Sequence, residues 1–103
     1  MLKDELIFEW NELKNLENYA KHDVTSEEAQ YAFLDSNKIL LRDEAHSFTE
    51  QRFYCLGLDR GKAGVLMVRF TYRKEKIRIF GAGYWRKGRR LYEDENKIQR
   101  RTH

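Results

Sequence analysis

The sequence predicts an α+β domain in which an antiparallel sheet of four to five strands packs against two N-terminal helices and one C-terminal helix. Segments with helical spacing occupy the first third and the end of the chain. Four segments rich in β-branched and aromatic residues lie between them. The links between the last three strands are short, and short links join only antiparallel neighbours. Helices that segregate from such a sheet predict a two-layer domain.

Two helices are predicted in the first third of the chain, after an apolar run over residues 6–10 that is typical of an edge strand. Leu13, Leu16 and Ala20 recur at three- to four-residue spacing, which predicts an amphipathic helix over 11–21 with these side chains inward. A capping box from Thr25 to Glu28 predicts the start of a second short helix. Its apolar face consists of Ala29, Ala32 and Phe33, and a polar turn over 35–37 ends it.

Four strands and a final helix are predicted in the rest of the chain. The strands cover 38–42, 52–58, 65–72 and 76–80, and Gly81 and Gly83 are expected to end the last of them. A charged helix begins near Arg86, with Leu91 and Ile98 inward, and the tail over 100–103 is expected to fray. Residues 1–103 therefore form one domain, because no linker, repeat or low-complexity segment divides them.

The composition is that of a soluble globular protein. With 41% apolar and 14% aromatic residues, the chain can bury a core, which excludes a disordered segment. No apolar stretch approaches the roughly 20 residues that span a bilayer, and the N-terminus lacks the pattern of a signal peptide. The single cysteine, Cys55, cannot form an internal disulfide. These features predict a cytoplasmic protein without membrane association.

Charge is distributed unevenly along the chain. Residues 1–59 hold six Lys or Arg against thirteen Asp or Glu, whereas residues 60–103 hold fourteen against four. The segment 77–90, IRIFGAGYWRKGRR, places cations at the start of the last helix, where the helix dipole disfavours them. This density predicts a phosphate-bearing partner or an acidic protein. Folding that brings the two halves together would instead neutralise part of the charge.

No pattern for metal or covalent catalysis is present. His22, His46 and Cys55 lack the paired spacing of a zinc site, and no nucleophile motif or phosphate loop occurs, so no metal or cofactor is predicted. The segment 43–47, DEAHS, suits an acid–base site, but its position between two strands favours a polar turn with local hydrogen bonds. Lys21 and His22 end the first helix, where they suit either a C-terminal cap or a base that titrates near neutrality.

Three arginines interrupt the predicted sheet. Arg60 precedes Gly61 in a strand connection, and Arg69 and Arg78 each divide an apolar strand. A cation on the packed face of a sheet needs a partner, whereas one that faces a groove can hold a phosphate. With the basic last helix alongside, these arginines predict a cationic groove on the sheet.

Several motifs together resemble the BrnT family of bacterial type II toxins over about residues 7–93. No single motif is specific for the family, but the order and spacing of the motifs together are. In chain order they are FEW at 8–10, Lys14, Asn18, Lys21-His22 before Val24, EEA at 27–29, FLD at 33–35, His46-Ser47, Glu50, Arg52-Phe53, Leu56-Gly57, IRI at 77–79 and a basic helix that ends at Tyr92-Glu93.

The resemblance implies a RelE-like ribonuclease fold and a toxin that cleaves RNA without the ribosome and thereby inhibits translation and growth. It also implies a BrnA-like antitoxin with a ribbon-helix-helix domain, and contact with operator DNA only through that antitoxin. The residues that match the family by position are Lys21, His22, Arg52, Arg60 and Arg78, followed by Arg86 and Tyr92.

The sequence departs from the family at Gly81 and Gly83, where many members carry serine and arginine. Metal-independent cleavage to a 2′,3′-cyclic phosphate needs cations and proton transfer. We assign the cationic role to Arg78 and Arg60, assisted by Arg52 or Arg86, and proton transfer to His22, Lys21 or Tyr84. The RNA-binding candidates are Tyr84, Trp85, Arg86, Lys87, Arg89 and Tyr92. The alternative is a non-catalytic module that holds an antitoxin or another partner and contributes to operon repression.

Overall fold

A computed structural model describes residues 6–101, with side chains as far as residue 97. The described chain has the predicted α+β class. In order, its elements are β1 Phe8–Trp10, α1 Glu12–His22, α2 Ser26–Ala29, α3 Tyr31–Leu34, β2 Ile39–Arg42, a 3-10 turn Glu44–His46, β3 Phe53–Leu58, β4 Val65–Arg73, β5 Lys76–Tyr84 and α4 Arg86–Arg101. The inward side chain predicted for Ile98 and the fraying predicted for the last residues lie outside this description.

The five strands form one mixed sheet in the order β1-β5-β4-β3-β2. From β2 to β5 each strand is antiparallel to the next, as the short links predict. β1 instead lies parallel to β5, with Phe8 opposite Ile77 and Trp10 opposite Ile79. The prediction of a purely antiparallel sheet is therefore wrong at this edge. The long connection between β1 and β5 contains three helices and three strands, and a connection of this length permits a parallel pair.

β5 continues through both glycines that were predicted to end it. The register shifts between Arg69 and Phe70 of β4, which leaves Phe80 of β5 unpaired as a β-bulge. Pairing then resumes, with Gly81 opposite Arg69 and Gly83 opposite Met67. Since no described glycine has a positive φ, these two residues are extended like their neighbours and extend the strand.

Adjacent residues of β3 enter two separate cores, because side chains alternate across a sheet. Cys55 belongs to a core that α2 and α3 cover, whereas Leu56 belongs to a smaller one beneath α4. The helices thus lie on both faces of the sheet, and the predicted two-layer arrangement is wrong. The larger core contains Val24, Ala29, Ala32, Phe33, Cys55, Leu66, Val68, Phe70, Ile77, Ile79 and Ala82, and the smaller one contains Leu56, Val65 and Tyr92.

α1 packs through polar side chains, which reverses the predicted orientation. Leu13 and Leu16 are 67% and 58% exposed, and Ala20 is exposed as well, whereas Asn18 is buried. The Asn18 side-chain amide donates to the Ala82 carbonyl at 2.9 Å, and its oxygen accepts from the Ala82 N–H at 3.2 Å. β5 extends beyond its pairing with β1, so Asn18 binds the backbone groups that another strand would bind.

The remaining helices begin where predicted but differ in detail. The capping box of Thr25 and Glu28 is present, and Gln30 divides the predicted second helix into α2 and α3. α4 begins at Arg86, but Leu91 is 40% exposed rather than inward. The inward residues are Gly88, Tyr92 and Asn96. No helix in the described part of the chain is long and apolar enough to cross a membrane.

Candidate active site

Basic side chains from α1, β4 and the segment before β3 converge in a groove on the sheet. Two adjoining cavities, of about 250 and 50 Å³, share Arg52, Arg69 and Phe80. The first is also lined by α1, and the second reaches the 3-10 turn. We call their combined surface the sheet groove. Its lining residues are Lys14, Glu17, Asn18, Lys21, Asp43, His46, Arg52, Arg69 and Phe80.

Gly81 makes room for the guanidinium of Arg69. The two residues lie opposite each other across β4 and β5. A Cβ at position 81 would clash with Arg69 Nη2 and would lie 2.7 Å from Asn18 Oδ1. A side chain at this position is therefore incompatible with the observed place of Arg69. The glycine at this position thus leaves the space that the cation of Arg69 occupies in the groove.

Most of the groove's cations are free to bind an anion. Among the described residues, no carboxylate forms an ion pair with Lys14, Lys21 or Arg69. Arg52 lies 3.7 Å from Glu50, which also binds Arg73 at 3.1 Å. These positive charges therefore lack full compensation within the described part of the protein. Guanidinium groups in such a position bind phosphate oxygens well, often with two parallel hydrogen bonds.

Arg52 is held against the ring of Phe80. Its Cζ atom lies 4.2 Å from the ring centroid, a cation–π geometry. The Arg52 N–H donates to Ser47 Oγ at 3.0 Å, so the backbone is fixed as well. Because Phe80 is the bulged residue of β5, the irregularity in the sheet positions the ring that supports Arg52.

The 3-10 turn presents a histidine–aspartate pair to the groove. His46 Nδ1 lies 2.9 Å from Asp43 Oδ2, and the side chain of Asp43 is only 7% exposed. Burial, followed by the charge and hydrogen bond of Asp43, raises the pKa of Tyr54 above its ordinary value. Ser47 Oγ donates to the Asp43 carbonyl at 2.7 Å, so the polar turn predicted here is confirmed. The same turn also places His46 and Asp43 beside Arg52 and Arg69.

The structure brings together only part of the predicted catalytic set. Lys21 and Arg52 line the groove. The ring of His22 lies over Gly83, where an added Cβ would be 3.6 Å from Nδ1. Arg78 Nη1 lies 3.3 Å from the carboxylate of Glu9, its neighbour across β1 and β5. The catalytic roles of His22 and Arg78 remain predictions.

Arg60 lies in a different cavity from the other predicted catalytic residues. This cavity measures about 580 Å³, and the guanidinium of Arg60 stacks over Tyr31 there at 5.6 Å. It is larger than the groove cavities, but Glu27, Glu28 and Asp59 line it. Three carboxylates repel RNA, so this cavity suits RNA less well than the smaller, cationic groove does. The catalytic role of Arg60 also remains a prediction.

Three of the predicted RNA-binding residues form a basic surface at the start of α4. Trp85, Arg86 and Lys87 line a shallow depression together with Arg90. The ring of Trp85 lies 6.1 Å from that of Tyr54, which joins this surface to the sheet. The first turn of α4 contains no acidic residue. The surface therefore keeps the excess positive charge that the sequence indicates.

The other three predicted RNA-binding residues make contacts within the protein. Tyr84 donates to Asp59 at 2.9 Å, and burial together with that carboxylate raises the pKa of Tyr84 to about 12. Arg89 forms an ion pair with Glu93 at 3.0 Å. Tyr92 is buried and donates to Asp35 at 2.6 Å. A phenol with a raised pKa stays protonated near neutrality, so Tyr84 is a poor base.

Metal and thiol chemistry have little support in the described residues. No group of three His, Cys, Asp or Glu side chains between residues 6 and 97 could hold a metal ion. Burial raises the pKa of Cys55 to about 12. Its sulfur is therefore a thiol at neutral pH rather than a nucleophilic thiolate.

The match with a known family covers the whole groove. A family model described as the ribonuclease toxin BrnT of type II toxin–antitoxin systems matches residues 10–88. The chain belongs to this family. The resemblance inferred from the motifs is thus confirmed, and membership implies an antitoxin partner and an RNA target for this BrnT family member. No curated protein matches the chain.

The sequence analysis did not select several groove residues of this BrnT family member. Lys14 entered only as a motif position, and Arg69 was predicted to form a cationic groove but received no catalytic role. Asp43 and His46 belong to a segment that suited an acid–base site but was assigned to a polar turn, and Phe80 had no role beyond a strand. One usable signal was present, since Arg69 is a charge inside an otherwise apolar strand. The others carry no local signal, because their proximity arises only from the strand register and the bulge.

Proposed function

We propose that the chain is a RelE-like endoribonuclease toxin that cleaves RNA to a 2′,3′-cyclic phosphate without a metal ion. The observation that carries this proposal is the convergence of four cations in the sheet groove. They are Lys14, Lys21, Arg52 and Arg69. RNA cleavage builds negative charge on the phosphorus oxygens, and cations positioned in advance stabilise that charge.

We assign a role to each residue from its position in the groove or at the start of α4. Arg52 and Arg69 bind the scissile phosphate, because their guanidinium groups share both cavities of the groove. The basic surface at the start of α4 binds the RNA backbone further along the strand. Trp85 stacks on a base, because the residue is 37% exposed and lines that surface. Arg78 and Arg60 act from outside the groove if they contribute.

The activity is tested with the purified toxin, single-stranded RNA and an excess of EDTA. We expect fragments that end in 2′,3′-cyclic phosphate. Arg69→Gln should lower the rate of cleavage by about 10²-fold, as expected for loss of one preorganised donor. Lys76→Gln, at an exposed position on β5, is the matched control and should cleave normally. RNA that stays intact at high toxin concentration would contradict the proposal.

The same assay decides between the groove and the residues that the sequence favoured. If Arg78 acts directly, Arg78→Gln should abolish growth arrest on expression while the protein stays folded. If the groove is the site, Arg69→Gln has this effect, and Arg78→Gln retains most of the toxicity. Circular dichroism of both variants separates a loss of activity from a loss of fold.

We propose that a BrnA-like antitoxin with a ribbon-helix-helix domain neutralises the toxin in the cytoplasm and links it to operator DNA. The family match supports an antitoxin in general. Co-expression of the protein encoded beside the toxin gene should restore growth, and a gel-shift assay should show operator binding only when that protein is present. Operator binding by the toxin alone would contradict this arrangement.

A non-catalytic module that binds a partner is the second candidate. The exposed apolar face of α1 favours it, since Leu13, Leu16 and Tyr19 are 67%, 58% and 49% exposed beside the groove. Such residues suit a protein interface better than they suit RNA. Tight binding of the antitoxin without RNA cleavage or growth arrest would support this candidate over the ribonuclease.

A further inference from the structure

We propose that His46, oriented by Asp43, is the general base that takes the proton of the attacking ribose 2′-hydroxyl. This inference rests on the proposed ribonuclease function and deepens it. It assigns the base to a segment that the sequence favoured as a polar turn, rather than to His22, Lys21 or Tyr84.

The geometry of the pair suits a base. Asp43 Oδ2 lies 2.9 Å from His46 Nδ1. The Nδ1–H group can therefore donate a hydrogen bond to the carboxylate, which leaves Nε2 with a free lone pair. Asp43 is 7% exposed, whereas the side chain of His46 is 64% exposed and can meet RNA. A buried carboxylate that orients an exposed imidazole is an arrangement well suited to general-base catalysis.

The pair also lies where a phosphate can be held. His46, Asp43, Arg52 and Arg69 line one cavity of about 50 Å³ together with Phe80. A phosphate bound by the two guanidinium groups therefore places its ribose next to the imidazole. The cavity is too small for a nucleotide, but it opens into the adjoining 250 Å³ space, where the rest of the strand can lie.

His22 lacks this arrangement. Among the described residues, His46 is the one histidine that pairs with a carboxylate within 4.0 Å. The ring of His22 instead lies over Gly83 at the end of α1. Nothing in the described contacts of His22 selects a tautomer, so its orientation is less suited to accept a proton.

The proposed step balances without a metal or cofactor. The 2′-oxygen transfers its proton to His46 Nε2 and forms a bond to phosphorus, while the bond from phosphorus to the 5′-oxygen breaks. The departing 5′-oxygen takes a proton from the ammonium of Lys21, which lines the same groove. The products are a 2′,3′-cyclic phosphate and a 5′-hydroxyl, and exchange with water restores both side chains.

Three charged groups line the cavity with His46. They are Asp43 next to its own turn, Arg52 before β3 and Arg69 on β4. Tyr54 on β3 is neutral and shares Asp43. Because a general base must be unprotonated to act, we expect the rate to fall as the pH is lowered through the range where imidazoles titrate.

The experiment compares two histidine variants of the whole toxin. Cleavage of a short RNA is measured across the pH range, and affinity is measured separately with a 2′-deoxy analogue that cannot be cleaved. His46→Gln should lower the rate by about 10²- to 10⁴-fold, remove the acid limb of the pH profile and leave affinity for the analogue unchanged. His22→Gln tests the competing candidate, and Lys76→Gln, at an exposed position on β5 outside the groove, is the control that should cleave at the rate of the unmodified toxin.

Two further variants separate a positioning role from a structural one. Asp43→Asn should lower the rate of cleavage and leave affinity for the 2′-deoxy analogue unchanged, because it removes the carboxylate that orients the imidazole. His46→Gly should regain activity when imidazole is added, which a purely structural defect would not show.

Three outcomes would overturn the proposal. An unchanged rate and pH profile in His46→Gln refutes the role of His46 but leaves the ribonuclease function intact. The full loss in His22→Gln together with a normal His46→Gln transfers the role to His22. An unmodified toxin that cleaves no RNA overturns the proposed function and this inference together.

Discussion

Gly81 leaves space for Arg69, a residue twelve positions away in the chain. It lies opposite Arg69, and the missing side chain leaves the space that the guanidinium occupies. Asn18 borders the same space from α1. A cation from β4 therefore lies at the position of β5 where the sequence lacks a polar side chain.

Gly81→Ala tests this relation. The added Cβ meets Arg69 and Asn18, so we expect a loss of about 1–3 kcal/mol in the free energy of unfolding and at least about a tenfold fall in RNA cleavage. Urea denaturation and the cleavage assay measure the two effects. Gly61→Ala is the control, because its Cβ would lie 4.0 Å from the nearest atom, and it should change neither quantity. A fully active Gly81→Ala toxin would show that Arg69 does not depend on this space.

Asp35 joins three elements through one carboxylate. It accepts hydrogen bonds from Tyr92 at 2.6 Å, from the Leu58 N–H at 2.9 Å and from the Asn37 N–H at 2.8 Å. Burial alone would raise the pKa of Asp35, but these bonds and the nearby Lys38 lower it below the ordinary value of 3.8. The ionised carboxylate therefore stabilises the folded state.

The stability that Asp35 contributes depends on pH. Because the folded pKa lies below the unfolded pKa, the contribution of Asp35 is present above the ordinary value and is lost as the pH falls through the lowered one. We expect Asp35→Asn to cost about 1–3 kcal/mol near neutrality and to lose less stability than the unmodified protein on acidification. Urea denaturation across the acidic range measures this. Equal acid sensitivity in both proteins would exclude Asp35 as the source.

Among the elements, α1 is the helix for which the spacing of apolar residues predicts the wrong buried face. Its leucines have helical spacing, yet they face solvent, and Asn18 faces the sheet. The reason is the neighbour of the helix. α1 packs along the outer edge of β5, beyond the residues that pair with β1. The backbone groups on that edge need hydrogen bonds more than they need apolar contacts.

In α1 the substitution of a polar residue should therefore destabilise the protein more than the substitution of a leucine. Asn18→Leu leaves the N–H and carbonyl of Ala82 unpaired, and we expect it to cost about 1–3 kcal/mol of unfolding free energy. Leu16→Ala changes an exposed side chain and should cost less than about 0.5 kcal/mol. Thermal and urea denaturation of the two single variants provide the comparison. A larger loss in Leu16→Ala would contradict the orientation of this helix.

On the scale of the whole molecule, the fold leaves the basic half of the chain partly uncompensated. Six ion pairs join described residues, but none of them involves the groove lysines, Arg69 or the first two residues of α4. The groove and the start of α4 thus both keep an excess of positive charge, and the Trp85 ring at the start of α4 lies 6.1 Å from the ring of Tyr54 on β3. Binding of RNA to such a surface releases counterions and weakens as salt increases.

Charge reversal at α4 tests this extended surface. The double variant Arg86→Glu and Lys87→Glu should weaken RNA affinity and reduce the slope of log affinity against log salt by about one for each phosphate that the variant no longer binds. Acidic residues stabilise a helix N-terminus, so the melting temperature of the double variant should not fall. Fluorescence anisotropy with the 2′-deoxy analogue measures affinity. The control, Lys74→Glu with Lys76→Glu at the β4–β5 turn, should leave the slope unchanged.

Much of the fold could be predicted because its signals are local. The capping box at Thr25, the meander from β2 to β5 and the start of α4 at Arg86 each depend on a few neighbouring residues. The family also emerged from motifs in order. The groove was predicted in kind, as a cationic site on the sheet, and Lys21 and Arg52 were found in it.

The rest depended on contacts between distant segments. The parallel pairing of β1, the inverted face of α1 and the use of Gly81 by Arg69 all involve residues far apart in the chain. His46 and Asp43 are close in sequence, but only the strand register and the bulge at Phe80 place them beside the arginines. The order of residues alone was enough to establish the fold class, the family and the basic character of the site. Which cations share the groove was established in three dimensions, because side-chain direction in a sheet follows from register, which local patterns do not contain.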